Sequence, residues 1–379
     1  MQGWGATPSW FETPVPLPRL GLLTMRVSGA VQIMKQPIDW NGAKKVNLAL
    51  QGGGSHGAFT WGVLDAILED GRLDIEALTG TSAGAMNAVV FVQGYLEGGR
   101  EGARKALSDF WGSLSDSGAL LPASREVFDK LFGAVPFEDT PAYFWMDALT
   151  HWASPYEFNP LDINPLRDHL AKTIDFAKVR ACEEVKVFVA ATRVDTGAIA
   201  VFERPQLTVE HVLASACLPQ LFRAVEIDGV AYWDGGYMGN PALFPLFYKS
   251  TTPDIVIVQI NPLRRPDLPR NARDIQNRLN EITFNGALMS ELRSIDFVSR
   301  LVDEGKLSRD DYMRPFVHRV EADAQLLAFS AASKFDTSRA FLETLRDIGR
   351  AAAKKWLADN YDMLGKADTL DLRMAFTKI

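Results

Sequence analysis

Short apolar runs alternate with segments of helical periodicity through the first half of the chain. The run "VNLAL" at positions 46–50 predicts a buried strand, and Ala58–Leu68 predicts a helix because its large apolar residues recur on one face. The pattern then repeats, since "IEALTG" predicts a strand end and "AGAMNAVVFVQGYLEGG" predicts a helix that Gly98 and Gly99 stop. Strand–helix units in series indicate a parallel sheet with helices on its faces.

The second half of the chain adds hairpin signals and long amphipathic segments. Turn residues at 195–197 and 228–229 stand inside alternating apolar segments and predict two β-hairpins. Asn164 is suited to cap a helix, because its side chain can accept a hydrogen bond from the first turn. After a further buried strand, "DIVIVQINP", helical spacing predicts helices over Ile282–Val302 and Phe341–Leu357 that cover the sheet.

Two segments depart from this regular pattern. Residues 1–44 are proline-punctuated and aperiodic, so we expect a poorly ordered N-terminal extension. The aromatic-rich segment Leu120–Phe158 has two interpretations, a groove or lid for an acyl chain or ordinary core packing. The domain prediction is an extension at 1–44, a catalytic core at 45–250, and a C-terminal strand and helices at 251–379 packed on the same domain.

Composition and charge narrow the class of protein. The 379 residues are 47% hydrophobic and 23% charged, which is typical of a globular protein. The net charge of -7 argues against nucleic acid as a partner and confines any membrane contact to a local, peripheral one. Two cysteines, Cys182 and Cys217, make neither a metal spacing nor a disulfide framework, so we expect a reducing, cytoplasmic compartment.

Targeting and membrane-spanning signals are weak. The first basic residue is Arg19, after a stretch with four prolines, so a charged and apolar leader is not indicated. The uncharged run between Glu76 and Glu97 is interrupted by glycine, threonine, serine, asparagine and glutamine. A buried strand, turn and helix fit this run better than a transmembrane helix.

The first candidate for chemistry is a G-x-S-x-G at Gly80–Gly84, between a predicted strand and a predicted helix. Small flanking residues permit a tight turn that lifts the Ser82 hydroxyl out of the sheet near the positive end of the helix. Ser82 is therefore a candidate nucleophile. The alternative is a chance match in a glycine-rich chain.

A serine nucleophile also needs a base and donors for the oxyanion that forms on attack. The stretch "NLALQGGGSHGAF" offers bare backbone amides at Gly52, Gly53 and Gly54, just before a helix N-terminus. The candidate base is Asp234 in "YWDGGYMGNP", at a strand end, although Asp-Gly-Gly is also an ordinary turn.

In chain order, the G-x-G-x-x-G of the glycine loop, the G-x-S-x-G and the later Asp-Gly-Gly resemble the patatin-like phospholipase family, whose lipid acyl hydrolases use a Ser-Asp dyad. The resemblance runs from Val46 to about Leu246 and includes "ASACLP" at 214–219 and "GNPALFPL" at 239–246. It implies a three-layer α/β/α hydrolase with a central, mostly parallel sheet. It also implies hydrolysis of phospholipid or lysophospholipid esters through an acyl-serine intermediate, without a metal or organic cofactor.

The resemblance assigns roles to residues of this chain. It makes Ser82 the nucleophile, Asp234 the base, and Gly53 and Gly54 the oxyanion hole. The other motif glycines support these residues, and they are Gly52, Gly57, Gly80, Gly84, Gly235 and Gly236. Many family members have arginine where this chain has His56, which therefore either modulates activity as a titratable group or packs the loop.

Several other functions use the same features. A dinucleotide-binding loop also reads G-x-G-x-x-G, but its acidic residue belongs at the end of the second strand, and Asp74 and Glu76 stand at its start. An acyltransferase or a polyester depolymerase would use the same dyad. A non-catalytic lipid-binding protein could retain the fold. The headgroup, chain length and oligomeric state are not encoded in these patterns.

Overall fold

The computed structural model describes residues 42–117, 152–266 and 268–373 of the chain. The predictions for the N-terminal extension and for most of the aromatic-rich segment therefore lie outside the described residues. The described residues belong to one compact unit. The boundaries at residues 44 and 250 stay predictions.

The described residues form eight strands and ten α-helices, joined by short 3-10 turns. The strands are β1 Lys44–Leu50, β2 Leu73–Gly80, β3 Lys186–Arg193, β4 Ile199–Glu203, β5 Val225–Ile227, β6 Val230–Asp234, β7 Asp254–Val258 and β8 Phe316–Val320. The helices are α1 Gly57–Asp70, α2 Ala83–Ser117, α3 Pro155–Phe158, α4 Pro165–Thr173, α5 Phe176–Ala181, α6 Val209–Ser215, α7 Phe244–Lys249, α8 Ala272–Asp303, α9 Asp323–Leu326 and α10 Arg339–Asn360.

One sheet contains all of these strands. Its order is β5-β6-β3-β2-β1-β7-β8, and β4 pairs with β3 as a branch from that path. Five neighbouring strands of the sheet run parallel, and they are β3, β2, β1, β7 and β8. The other three strands, β4, β5 and β6, form antiparallel pairs at the β3 end of the sheet. The prediction of a central, mostly parallel sheet is confirmed.

Helices cover both faces of the sheet, because the buried strands present apolar side chains in both directions. On β1, Leu48 and Leu50 pack in the larger apolar cluster with α1, α2 and α10. Ala49, between them, packs in a second cluster on the other face, with Leu288 and Leu292 of α8. This alternation makes the three-layer α/β/α arrangement that the sequence predicts.

The local predictions agree with the structure apart from one helix end. The long C-terminal helices α8 and α10 include the predicted segments, and both predicted hairpins form, one between β3 and β4 and one between β5 and β6. At Gly98 and Gly99 the backbone leaves the helical conformation, but the chain then resumes a helix to Ser117. The two glycines therefore kink α2 where the sequence predicts its end.

Among the helices of the described residues, none is long and apolar enough to cross a membrane.

Candidate active site

Ser82 lies in a sharp turn between β2 and α2. Its φ of 54° is in the left-handed region, which a residue with a side chain rarely adopts. Hydrogen bonds fix both sides of the turn, since Gly84 N–H donates to Thr81 O at 2.8 Å and Met86 N–H donates to Ser82 O at 3.1 Å. The turn brings Ser82 to the carboxyl end of β2, where it lines a cavity.

The glycines around Ser82 are required by close packing of backbone on backbone. A Cβ on Gly84 would overlap the carbonyl oxygen of Leu50, at the end of β1. A Cβ on Gly52 would lie 2.6 Å from Thr81 O and 2.7 Å from Ser82 Cβ. The glycine loop Gly52–Gly54 and the serine turn therefore touch each other directly.

Side-chain amides hold the glycine loop in place from its buried side. Gly52 N–H donates to Asn240 Oδ1 at 2.6 Å, and Asn261 Nδ2 donates to Gly52 O at 2.7 Å. The amides of Gly53 and Gly54 have no acceptor among the residues that the structure describes. Gly54, with φ of 58°, also lines the cavity beside Ser82. These two donors are thus free to bind a negatively charged oxygen.

The sheet brings Asp234 to Ser82 through their shared neighbour β3. Gly80, the last residue of β2, pairs with Val189, and Asp234, the last residue of β6, pairs with Ala191. The two strands therefore end beside nearly the same place on β3. The Ser82 hydroxyl therefore lies near the Asp234 carboxylate, close enough to lower its pKa.

The carboxylate of Asp234 is buried, with 1% of the residue exposed. It accepts a hydrogen bond from Gly236 N–H at 2.7 Å. Burial raises the pKa of Asp234 to about 7, while the Gly236 amide, the Ser82 hydroxyl and the Lys334 charge act in the opposite direction. A carboxylate with such a pKa is a far better proton acceptor at neutral pH than a solvated aspartate.

The Asp-Gly-Gly pattern is also explained by packing. A Cβ on Gly235 would overlap the Ala190 carbonyl oxygen on β3, and a Cβ on Gly236 would overlap the ring of Phe284 on α8. Both glycines let the chain turn away from Asp234 without displacing the sheet or the helix.

An apolar cavity of about 240 Å³ opens at Ser82. Phe158 lines it, so the end of the aromatic-rich segment reaches the site. The other lining residues are Gly54, Ala83, Met86, Trp111, Leu114, Leu166, Ala216, Leu218, Leu221, Phe222, Lys334 and Phe335. Such a lining suits a hydrocarbon chain.

His56 is buried away from this cavity. Its Nε2 lies 2.8 Å from Ser333 Oγ, and its ring packs near those of Phe329 and Phe341. Burial, with the charges of Lys334 and Arg265, lowers the pKa of His56 to about 3. Of its two interpretations, these contacts favour packing of the loop.

Sequence reasoning assigned no role to several residues that the fold brings to the site. Ser215 and Asn240 lie in "ASACLP" and "GNPALFPL", two stretches quoted only for their resemblance, and both contact the motif backbone. Asn261 lies at the end of "DIVIVQINP", quoted only as a strand, and Lys334 lies in a part of the chain that the sequence analysis does not mark. Only the tertiary contacts identify these four.

Of the two acidic residues of the dinucleotide-binding alternative, Asp74 lies near the start of β2 and Glu76 lies in its middle. Glu76 is buried, forms an ion pair with Lys186 at 2.9 Å, and accepts hydrogen bonds from Thr251 and Thr252. Both of its oxygens are therefore engaged, and neither acidic residue lies at the end of β2, where the dinucleotide-binding alternative requires one.

Comparisons with known proteins give one family match and several structural matches. The family model described as patatin-like phospholipase matches residues 48–247. VipD from Legionella pneumophila aligns with 83% of this chain and 67% of its own, at 14% identity and a TM-score of 0.37. ExoU from Pseudomonas aeruginosa, solved in complex with SpcU, aligns with 83% of this chain at 14% identity and a TM-score of 0.31. This chain covers 52% of the ExoU chain. No curated protein sequence matches.

Proposed function

Because the chain belongs to the patatin-like phospholipase family, we propose that it is a serine hydrolase that cleaves carboxylic esters of lipids with a Ser82–Asp234 dyad. The observation that carries this proposal is the buried Asp234 carboxylate, which the sheet places beside a serine held at a left-handed turn. The apolar cavity at Ser82 supports a lipid acyl chain as the group that is bound.

In the proposed first step, Ser82 Oγ attacks the carbonyl carbon of the ester and its proton passes to Asp234. The negative charge that develops on the carbonyl oxygen is stabilised by the amides of Gly53 and Gly54, which have no competing acceptor among the described residues. The C–O bond then breaks, and the leaving alcohol takes the proton from Asp234. An acyl-Ser82 ester remains.

In the second step, water attacks the acyl-Ser82 ester and gives its proton to Asp234. The collapse of the second tetrahedral intermediate releases the fatty acid and returns the proton to Ser82 Oγ. Each step moves one proton between oxygen atoms, so the reaction is balanced without a metal or an organic cofactor. We propose that it takes place in the cytoplasm, on lipid presented at a membrane surface.

The test is labelling of the purified full chain by a fluorophosphonate probe, followed by intact-mass analysis. We expect one adduct on the wild type, none on Ser82→Ala, and at least about 100-fold slower labelling of Asp234→Asn. Ser294→Ala is the matched control, because that serine is exposed on α8, and it should label like the wild type. A folded wild type that does not label, or a Ser82→Ala variant that does, would contradict the dyad.

A further inference from the structure

A second cavity lies close to the one at Ser82, and among the residues that the structure describes the two share a single lining residue, Trp111. The second cavity has a volume of about 130 Å³ and lies between α1, the part of α2 that follows its kink, and α10. We call it the outer cavity, because exposed residues such as Ser108 and Arg339 line it. Trp111 therefore stands between the site of the proposed chemistry and a recess at the protein surface.

The indole of Trp111 spans the space between the two cavities. The far edge of its six-membered ring lies against Gly57, since a Cβ on that glycine would be 3.0 Å from Cη2 and 3.1 Å from Cζ2 of the indole. The same Cβ would be 2.6 Å from the Cβ of Ala83, the residue that follows Ser82 and lines its cavity. The ring, and not only the backbone of Trp111, therefore reaches the cavity at Ser82.

Hydrogen bonds and packing fix the position of this ring. Trp111 Nε1 donates to Asn87 Oδ1 at 3.0 Å. Asn87 Nδ2 in turn donates to the carbonyl oxygens of Gly57 and Ala83, each at 3.0 Å. Both Trp111 and Asn87 are buried, so the indole has no room to move to another rotamer. It is a rigid wall of the cavity at Ser82.

We propose that Trp111 determines the length of acyl chain that the enzyme accepts, because its indole closes the cavity at Ser82 and shuts off the outer cavity. This inference rests on the proposed function and adds a specificity-determining residue to it. The cavity of about 240 Å³ is smaller than the range of about 300–1,000 Å³ that is typical of ligand sites. The favoured substrates are therefore esters of short or medium acyl chains, whose last carbons contact the indole.

The experiment labels the purified full chain with a series of alkyl fluorophosphonates whose chains have four to sixteen carbons and take the place of the acyl chain. The measured quantity is the second-order rate constant of labelling, at concentrations where each probe is monomeric. In the wild type, we expect this constant to rise by up to about fourfold per added methylene and to stop rising at the length where the chain meets the indole.

The variants test whether the indole sets that limit. In Trp111→Ala the rise should continue into the outer cavity, so that the ratio of the longest probe to the shortest increases at least about tenfold. Trp111→Leu removes less volume and should increase the ratio in the same direction by a smaller factor, which keeps the test open if Trp111→Ala does not fold. Trp356→Ala is the matched control, because Trp356 is a buried tryptophan of α10 that lines neither cavity, and it should leave the limit unchanged.

Two results would overturn the inference. The same limiting chain length in the wild type and in folded Trp111→Ala or Trp111→Leu would exclude the indole as the wall that sets it. A wild-type rate constant that rises without a limit up to sixteen carbons would show that the cavity at Ser82 is not closed. A failure of the proposed function is distinguishable from both results, because in that case no probe of any length would label Ser82 of the wild type.

Discussion

The backbone N–H of Ser82 donates a hydrogen bond to the side-chain oxygen of Ser215 at 2.8 Å. Ser215 is fully buried at the end of α6, so this contact joins the serine turn to a helix distant in sequence. A left-handed residue persists only where its surroundings hold it. Ser215 is therefore a positioning residue for the Ser82 turn.

We expect Ser215→Ala to slow fluorophosphonate labelling of Ser82 by about 10-fold, because the turn loses the acceptor that holds its backbone. The free energy of unfolding should fall by about 1 kcal/mol in the same variant. Ser113→Ala, which removes a local hydrogen bond to Phe110 O, is the control for general effects of losing a hydroxyl. Labelling at the wild-type rate would show that Ser82 is held without Ser215.

The pH dependence of hydrolysis should report the titration of Asp234. Only the carboxylate form accepts a proton, and burial raises its pKa to about 7. We expect kcat/KM to be constant well above pH 7 and to fall about tenfold per pH unit below it. The measurement is a pH–rate profile on a neutral ester, and a break near pH 4 would mean that Asp234 titrates as a solvated aspartate.

The same shift predicts that the wild type loses stability as the pH rises. The folded-state pKa of Asp234 is above its unfolded value, so the folded protein binds this proton more tightly. The resulting stabilisation is complete below the unfolded pKa near 4 and is lost as the pH passes through about 7.

Asp234→Asn keeps an acceptor for Gly236 N–H but carries no charge to bury. We therefore expect the free energy of unfolding of Asp234→Asn, relative to that of the wild type, to increase by about a few kcal/mol between pH 5 and pH 8. Chemical denaturation at both pH values measures the difference. A difference that does not change with pH would argue that Asp234 is charged throughout this range.

His56→Gln should leave the shape of the pH–rate profile unchanged. The low pKa of about 3 keeps His56 neutral at the pH of the reaction, so its contact with Ser333 Oγ is structural. We expect a loss of about 1 kcal/mol in the free energy of unfolding, from the altered hydrogen bond and packing. A shift of the pH–rate profile in this variant would instead support a role for His56 as a titratable group that modulates activity.

Gly54→Ala should lower kcat by at least about 100-fold, because a side chain would strain the left-handed backbone and meet the Lys334 carbonyl. Gly98→Ala is the matched control, since a Cβ there has no heavy atom within 4 Å and Gly98 lies at the kink of α2. We expect the control to retain activity within about twofold. Steady-state hydrolysis with a check of thermal unfolding measures both variants, and a Gly54→Ala enzyme of normal activity would exclude this loop as the oxyanion hole.

Much of the architecture was predictable because it depends on local pattern. The apolar runs of β1 and β7 and the helical spacing of α8 and α10 are set by side chains that need burial on particular faces. The kink in α2 shows the limit of such reasoning. Two glycines interrupt a helix locally, but packing of the chain beyond them decides whether it resumes.

The sequence by itself determined where the three motifs stand, at the ends of β1, β2 and β6, since only glycine permits the close backbone contacts found there. Their meeting was decided by the sheet, because the order β6-β3-β2-β1 brings strands distant in sequence side by side. The raised pKa of Asp234, the buried neutral His56, and the contacts of Ser215 and Lys334 also depend on burial among distant residues. Burial and charge balance are properties of the packed chain, so no local pattern could reveal them.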